Sequence, residues 1–245
     1  MRTTIPGFLV LAALAGCTPA PQEPPKAASP PAPLPVSESV KSHLPSQAGE
    51  VLEADFQPLL LEQFTPFQGE SGTWTTGERG VIQTSGIPKG YLHSNQPYEN
   101  FTLRGDFQFV LTEEQAKNPA KANTGFMLAI QEPHKVWPRS LEVQGRWDNM
   151  GSINSNGGLP APVTHDDPAV RERVRRPATD WNSIEIVMKD GAITSRLNGE
   201  VVCTSEPAEE TQGFIGLQAE GFVVRFRNLR IRTEPAGERP PLPAP

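Results

Sequence analysis

The sequence predicts an all-β fold: an antiparallel β-sandwich or jelly roll with one or two short helices in its loops. Three observations carry this. Apolar residues alternate at period two through many short segments, the pattern of strands that bury one face. Asp190-Gly191 and Asn198-Gly199 each stand between two such segments, where Asp-Gly and Asn-Gly mark two-residue hairpins. Helical periodicity is scarce, and Gly, Pro or Asn interrupts the chain at short intervals.

The alternating segments are 80–84, 98–111, 124–131, 140–144, 181–189, 192–197, 200–204, 213–218 and 222–232. The stretch 211–232, TQGFIGLQAEGFVVRFRNLRIR, reads as a strand, a tight turn and a second strand. In that second strand Val223, Val224, Phe226, Leu229 and Ile231 interleave with Arg225, Arg227, Arg230 and Arg232. One helix is expected at AVRERVRR, with Asp167 as N-cap, Pro168 at the first helical position and Pro177 as terminator. Residues 113–120 suit a second short helical turn. Arg171, Arg173, Arg175 and Arg176 are expected on a solvated surface. Together the segments make one domain, 48–234.

The ends of the chain differ in kind. Arg2 precedes an apolar core at 8–14, too short to span a bilayer, so residues 1–16 read as a signal peptide. Leu14-Ala15-Gly16-Cys17 fits a bacterial lipoprotein cleavage box, with small residues before the cut and a thiol after it to take the lipid. More than one acyl chain on Cys17 gives stable membrane anchoring. Thr18 follows the cysteine, and the expectation is a cell-envelope protein held at the outer membrane. Residues 17–47 read as the lipidated cysteine and a disordered tether, since nine of the 27 prolines fall there among Ala, Ser and Gln. Residues 235–245 read as a Pro-rich disordered tail.

Charge and motifs narrow the function. The formal net charge is −6, or −7 after loss of residues 1–16, which argues against a nucleic-acid partner. There is no Gly-x-Ser-x-Gly elbow, phosphate loop or dinucleotide fingerprint. His43, His93, His134 and His165 have no partner at metal-ligand spacing, and no cofactor is evident. A Ca²⁺ held by loop carbonyls would leave no trace of this kind. With Cys17 used for the anchor, Cys203 has no disulfide partner, and its GEVVCTS context places it buried and inert.

Strand alternation puts Glu142, Gln144 and Arg146 on one face, with Leu141 and Val143 on the other, and likewise sets Gln218 and Glu220 opposite Leu217. Paired carboxylates suit sugar chemistry, because one can stay protonated to assist a leaving oxygen while the other acts as base or nucleophile. Trp147 and Asp148 follow in the next loop, where an indole can stack on a sugar face. Trp181 opens a strand and is expected in the core. His93, beside Tyr91, lies where it could reach the same face.

Five ordered segments resemble the 3-keto-disaccharide hydrolase family, formerly domain of unknown function 1080. PYENFTLRGDFQF at 97–109 is similar to its Tyr-x-Asp/Asn-Phe-x-Leu strand, and ANTGFMLAI at 122–130 to its Asn-Ser-Gly strand. SLEVQGRWDNMGSIN at 140–154 resembles its Tyr-Glu-Val-Gln-Ile strand. DWNSIEIVMKDGAITSRLNGEVV resembles its Glu-Trp-Asn strand and Leu-Asn-Gly hairpin. GFIGLQAEGFVVRFRNLRIR resembles Gly-x-Ile-Gly-Leu-Gln ending in Phe-Arg-Asn-Ile. The resemblance implies a concanavalin A-like (LamG-like) sandwich acting on 3-keto-glycosides. It implies Glu142 as base and Gln144, Gln218 and Arg227 as holders of keto or ring oxygens, with Asn123 at the start of the Asn-Ser-Gly-like strand. Two positions depart from the family pattern. Ala129 stands where an arginine is usual, and Glu220 stands where a histidine is usual, which gives Glu220 the acid role. A glycan-binding or envelope-interaction module without turnover is the alternative reading of the same residues.

Overall fold

The computed structural model describes residues 53–68 and 72–234. The expected signal peptide, Cys17, the tether and the tail lie outside the described residues. Fifteen strands follow in chain order: β1 (Gln57–Pro58), β2 (Phe64–Phe67), β3 (Trp74–Thr76), β4 (Ile82–Thr84), β5 (Gly90–Ser94), β6 (Phe101–Val110), β7 (Gly125–Ile130), β8 (Ser140–Gln144), β9 (Ile153–Asn156), β10 (Thr164–Asp166), β11 (Asn182–Lys189), β12 (Ala192–Leu197), β13 (Glu200–Ser205), β14 (Phe214–Ala219) and β15 (Val223–Thr233). Every pairing between them is antiparallel.

The strands form two sheets. One runs β10-β13-β12-β11-β6-β15-β4-β3 with β1 added on β15, and the other runs β2-β5-β14-β7-β8-β9. The core lies between them. From the larger sheet come Phe101, Leu103, Phe107, Phe109, Ile184, Ile186, Met188, Phe226 and Ile231; from the smaller come Leu92, Phe126, Leu128, Leu141, Val143, Ile215 and Leu217. These are the alternate residues the period-two pattern assigns to one face. Asp190 and Gly191 take φ of 49° and 84°, and Asn198 and Gly199 take 49° and 94°, so both hairpins carry the two left-handed residues of a type I′ turn.

The segment 211–232 is not a hairpin. β14 lies in the smaller sheet between β5 and β7, whereas β15 lies in the larger sheet beside β6. The turn between them, with Gly221 at φ 88°, carries the chain from one sheet to the other. Within β15 the register shifts between Arg227 and Arg230, and Asn228 takes φ 53°. This bulge moves the buried positions from Val224 and Phe226 to Leu229 and Ile231. Leu229 fills the space over Gly105, where a Cβ would come within 2.5 Å of its Cδ2.

The helices fall where expected. α1 (Glu113–Ala116) is capped by Thr112, and α2 (Pro168–Val174) by Asp167, whose side chain accepts from Val170 N. The arginine cluster around α2 is not a solvated surface. Arg171 is buried, with Nε donating to Met150 O and the guanidinium paired with Asp166. Arg175 stacks 3.8 Å from the Trp147 ring centroid and donates to Trp147 O and Asp148 O. Only Arg173 of the first three has a mostly exposed side chain. Cys203 is buried as expected, and burial pushes its thiol up to about 11.

Candidate active site

The outer face of the smaller sheet carries the polar residues that alternate with its core residues. Glu142 on β8 pairs across with Met127 on β7 and Asn154 on β9. Gln218 on β14 pairs across with Tyr91 on β5 and follows Leu217, which pairs with Phe126 on β7. The alternation that drives Leu141, Val143 and Leu217 inward therefore turns Glu142 and Gln218 to the same outer face.

Gly125 makes room for both. A Cβ there would lie 2.3 Å from Gln218 Oε1 and 2.5 Å from Glu142 Oε1, so the two side chains meet above a residue that must lack one. Glu142 is only 5% exposed and accepts a hydrogen bond from Asn156 Nδ2 at 2.8 Å. Burial pushes its carboxyl above the usual range; Asn156 and the nearby Gln218 amide oppose this. Gln218 is wholly buried, and Thr124 Oγ1 donates to its backbone carbonyl at 2.9 Å. Neither of its side-chain amide atoms completes a well-aligned hydrogen bond within the protein, although the amide lies against Glu142. A buried amide without partners costs about 1–3 kcal/mol, so it marks a place where a ligand or water completes the site.

Glu220 follows β14 directly. Asn123 Nδ2 donates to its Oε2 at 2.5 Å, leaving the buried Asn123 Oδ1 unpartnered. Desolvation, and then the charge of Glu142, push the Glu220 carboxyl up to about 7, against the opposing pull of Lys89 and Arg146. The charge of Glu142 thus acts on Glu220, which at about 7 is shared between its protonated and ionised forms near neutrality. Beside Glu220 opens a cavity of about 480 Å³ whose walls include Lys89, Lys121, Asn123, Arg146 and Asp148. Among the described residues, no group of three or more His, Cys, Asp or Glu side chains is placed to hold a metal ion.

Glu142, Gln218, Asn123, Glu220 and Asp148 thus gather at one end of this face. The other expected residues are engaged elsewhere. Arg227 projects from the outer face of the opposite sheet, where it pairs with Asp106 at 3.0 Å and stacks 4.1 Å from the Trp181 ring centroid. Trp181 is accordingly half-buried under Arg227 and not in the core. Gln144 Oε1 accepts from Arg146 N at 2.9 Å and so caps the turn after β8. Trp147 packs against the core edge, donates Nε1 to Arg176 O at 2.9 Å and has a ring face covered by Arg175. It is held as a structural plug and not as a sugar platform. Asp148 is bound by Arg146 at 2.6 and 3.0 Å on the cavity wall.

His93 shares the outer face but belongs to a separate cluster. It stacks on His134 with centroids 4.1 Å apart, and Phe214 sits 5.5 Å away. Tyr91 OH lies 3.0 Å from His134 Nδ1. Burial pushes the Tyr91 phenol up to about 12 and lowers His134, so the phenol donates to a neutral imidazole. With Met127 and Ile130 beneath, this cluster covers the outer side of β5 and β7. Two contributors went unread in the sequence. Lys89 carries no motif signal, and Asn156 lies in a polar strand without alternation.

Fold and site together define a concanavalin-like β-sandwich with a coupled carboxylate pair on one sheet face. The sequence profile of the 3-keto-alpha-glucoside-1,2-lyase-like domain matches residues 59–232, and the chain belongs to that family. Two solved structures of glycosyl-hydrolase candidates from Parabacteroides distasonis ATCC 8503 share the fold. One is 21% identical with a TM-score of 0.54, over 73% of this chain and 99% of that one. The other is 21% identical with a TM-score of 0.52, over 81% of this chain and 98% of that one. No curated protein matches the sequence significantly.

Proposed function

We propose that this protein is a carbohydrate-active enzyme that cleaves 3-keto-glycosides, with Glu142 as base and Glu220 as acid. The observation that carries the reading is the pair itself: two coupled carboxylates on one sheet face, meeting an unpartnered Gln218 amide over Gly125. Family membership and the fold shared with glycosyl-hydrolase candidates support a carbohydrate substrate.

A ketone at C3 acidifies the C2 proton, because the resulting carbanion is an enolate. Ionised Glu142 takes that proton. The C1–O bond is β to the carbonyl and breaks, and Glu220 gives its proton to the departing oxygen. Water then adds across C1 and C2, OH to C1 and H to C2, so that the net change is hydrolysis. Positioned acid–base groups of this kind contribute about 10²–10⁴-fold each. The Gln218 amide and Asn123 Oδ1 are the groups left to orient the sugar. The signals at residues 1–17 support export and a lipid anchor at Cys17, which would display the site at the outer membrane.

The test is release of the aglycone from a 3-keto-disaccharide by the purified protein. Glu142→Gln should abolish turnover without lowering the melting temperature, since the amide keeps the Asn156 contact and removes a desolvated charge but cannot accept a proton. Full activity in Glu142→Gln removes the base assignment. Absence of wild-type turnover, with sugars still raising the melting temperature, replaces the enzyme by a glycan-binding module.

A further inference from the structure

The cavity beside Glu220 has the opposite charge to the chain that carries it. The protein bears −6 overall, yet Lys89, Lys121 and Arg146 converge on this one pocket. Its two acidic walls do not balance them. Asp148 is consumed by the two-point contact with Arg146. Glu220 is pushed toward its neutral form by burial and by Glu142. Among the described residues, neither Lys89 nor Lys121 makes a direct ion pair. Lys89 thus acts on the Glu220 carboxyl without a direct ion pair, and the exposed Lys121 lines the same cavity, so the cations there outnumber the acids left to meet them. On the same wall, Asn118 adds an amide, while the buried Asn123 Oδ1, an acceptor without a partner, suits a neighbouring sugar hydroxyl and not the anion itself.

We infer that this cavity receives an anionic substituent of the sugar, a uronate carboxylate or a sulfate ester, so that the preferred substrates are acidic glycosides. The inference rests on the carbohydrate reading above and specifies its substrate class. Lysine ammoniums and amide N–H groups are donors that an anion satisfies and a neutral hydroxymethyl group satisfies less well. The arrangement also serves the chemistry. A bound anion beside Glu220 is a like charge, which disfavours its ionisation and holds the acid protonated. An acidic substrate would thus ready its own proton donor, whereas a neutral one would leave Glu220 partly ionised at neutral pH.

Calorimetric titration of the full chain with glucuronate, glucose 6-sulfate and glucose, at low ionic strength, tests this. At least one acid should bind about tenfold or more tighter than glucose, the scale of a single charge-assisted contact. Added salt should erode that preference. In Lys89→Gln/Lys121→Gln the ratio of acid to glucose affinity should fall to about one, with the melting temperature retained as proof of folding. Preference for glucuronate alone identifies a carboxylate site, and equal preference for both acids a general anion site. Glucose binding as tightly as the acids, no binding of either acid, or a preference that survives in the double variant overturns the inference. An acid preference without turnover of any keto-glycoside keeps the subsite and removes the catalytic reading. Turnover of neutral keto-disaccharides without an acid preference does the reverse.

Discussion

Replacing Glu220 by glutamine should stabilise the protein at alkaline pH and leave it unchanged at acid pH. The sign follows from the direction of the shift. In the unfolded chain this carboxyl ionises near 4.5, whereas in the fold it does so at about 7. Between those values the folded state binds more protons than the unfolded one, so the stability Glu220 contributes is complete below about 4.5 and is lost as pH rises through 7. At about 1.4 kcal/mol per pH unit the full interval is worth about 3 kcal/mol. Glu220 is only partly buried, and solvent screening cuts this to about 1–2 kcal/mol. Glutamine carries no charge at any pH, and its carbonyl can still accept from Asn123. For a domain of this size about 1–2 kcal/mol corresponds to about 2–8 °C in melting temperature. Thermal unfolding of both proteins at pH 4.5 and pH 8.5 reads the effect. An increase at pH 8.5 that vanishes at pH 4.5 supports the reasoning. An equal shift at both pH values, or destabilisation at pH 8.5, refutes it, because the perturbation would then be one of packing and not of charge.

Two further outcomes follow from the packing. Gly125→Ala should cost about 1–3 kcal/mol and remove turnover, since the added methyl overlaps Gln218 Oε1 and Glu142 Oε1; urea unfolding and the keto-disaccharide assay check this. Cys203, with its thiol pushed up to about 11, should resist a disulfide reagent at pH 8 in the folded protein and react on addition of denaturant; rapid labelling without denaturant would contradict its burial.

The legible parts of the fold are those where one strand face meets the core and the other meets solvent. β11 and β12 read cleanly because Ile184, Ile186, Met188, Ile193 and Leu197 alternate with exposed or half-exposed residues. β5 was missed because Tyr91 and Leu92 are both buried. Leu92 faces the core and Tyr91 lies under His134 and Phe67, so period two disappears. β9 and β10 were missed for the opposite reason: their residues are mostly polar and lie at sheet edges. The switch in β15 from even to odd buried positions at Leu229 was visible in the sequence and signals the bulge. That β14 and β15 belong to different sheets was not visible, because a three-residue turn can close a hairpin or cross a sandwich.

The site followed the same logic. Glu142, Gln218 and Glu220 were recoverable because a strand fixes which side chains share a face. Arg227 was misplaced because alternation within one strand does not reveal which sheet the strand joins. The packing of Trp147 was hidden because sequence cannot distinguish an indole open to ligand from one already covered by Arg175. Lys89 and Asn156 enter only through contacts distant in sequence, which no local pattern encodes.

The pH dependence of kcat/KM on a 3-keto-disaccharide tests the central claim most directly, because it reports the ionisations of the free enzyme's acid and base. With Glu142 as base and Glu220 as acid, the profile should rise as Glu142 ionises and fall with a single ionisation near pH 7, where Glu220 loses its proton. In Glu220→Gln that falling limb should be absent from whatever activity remains. A wild-type profile that stays flat or climbs to pH 9, or a falling limb retained without Glu220, would contradict the assignment of the pair.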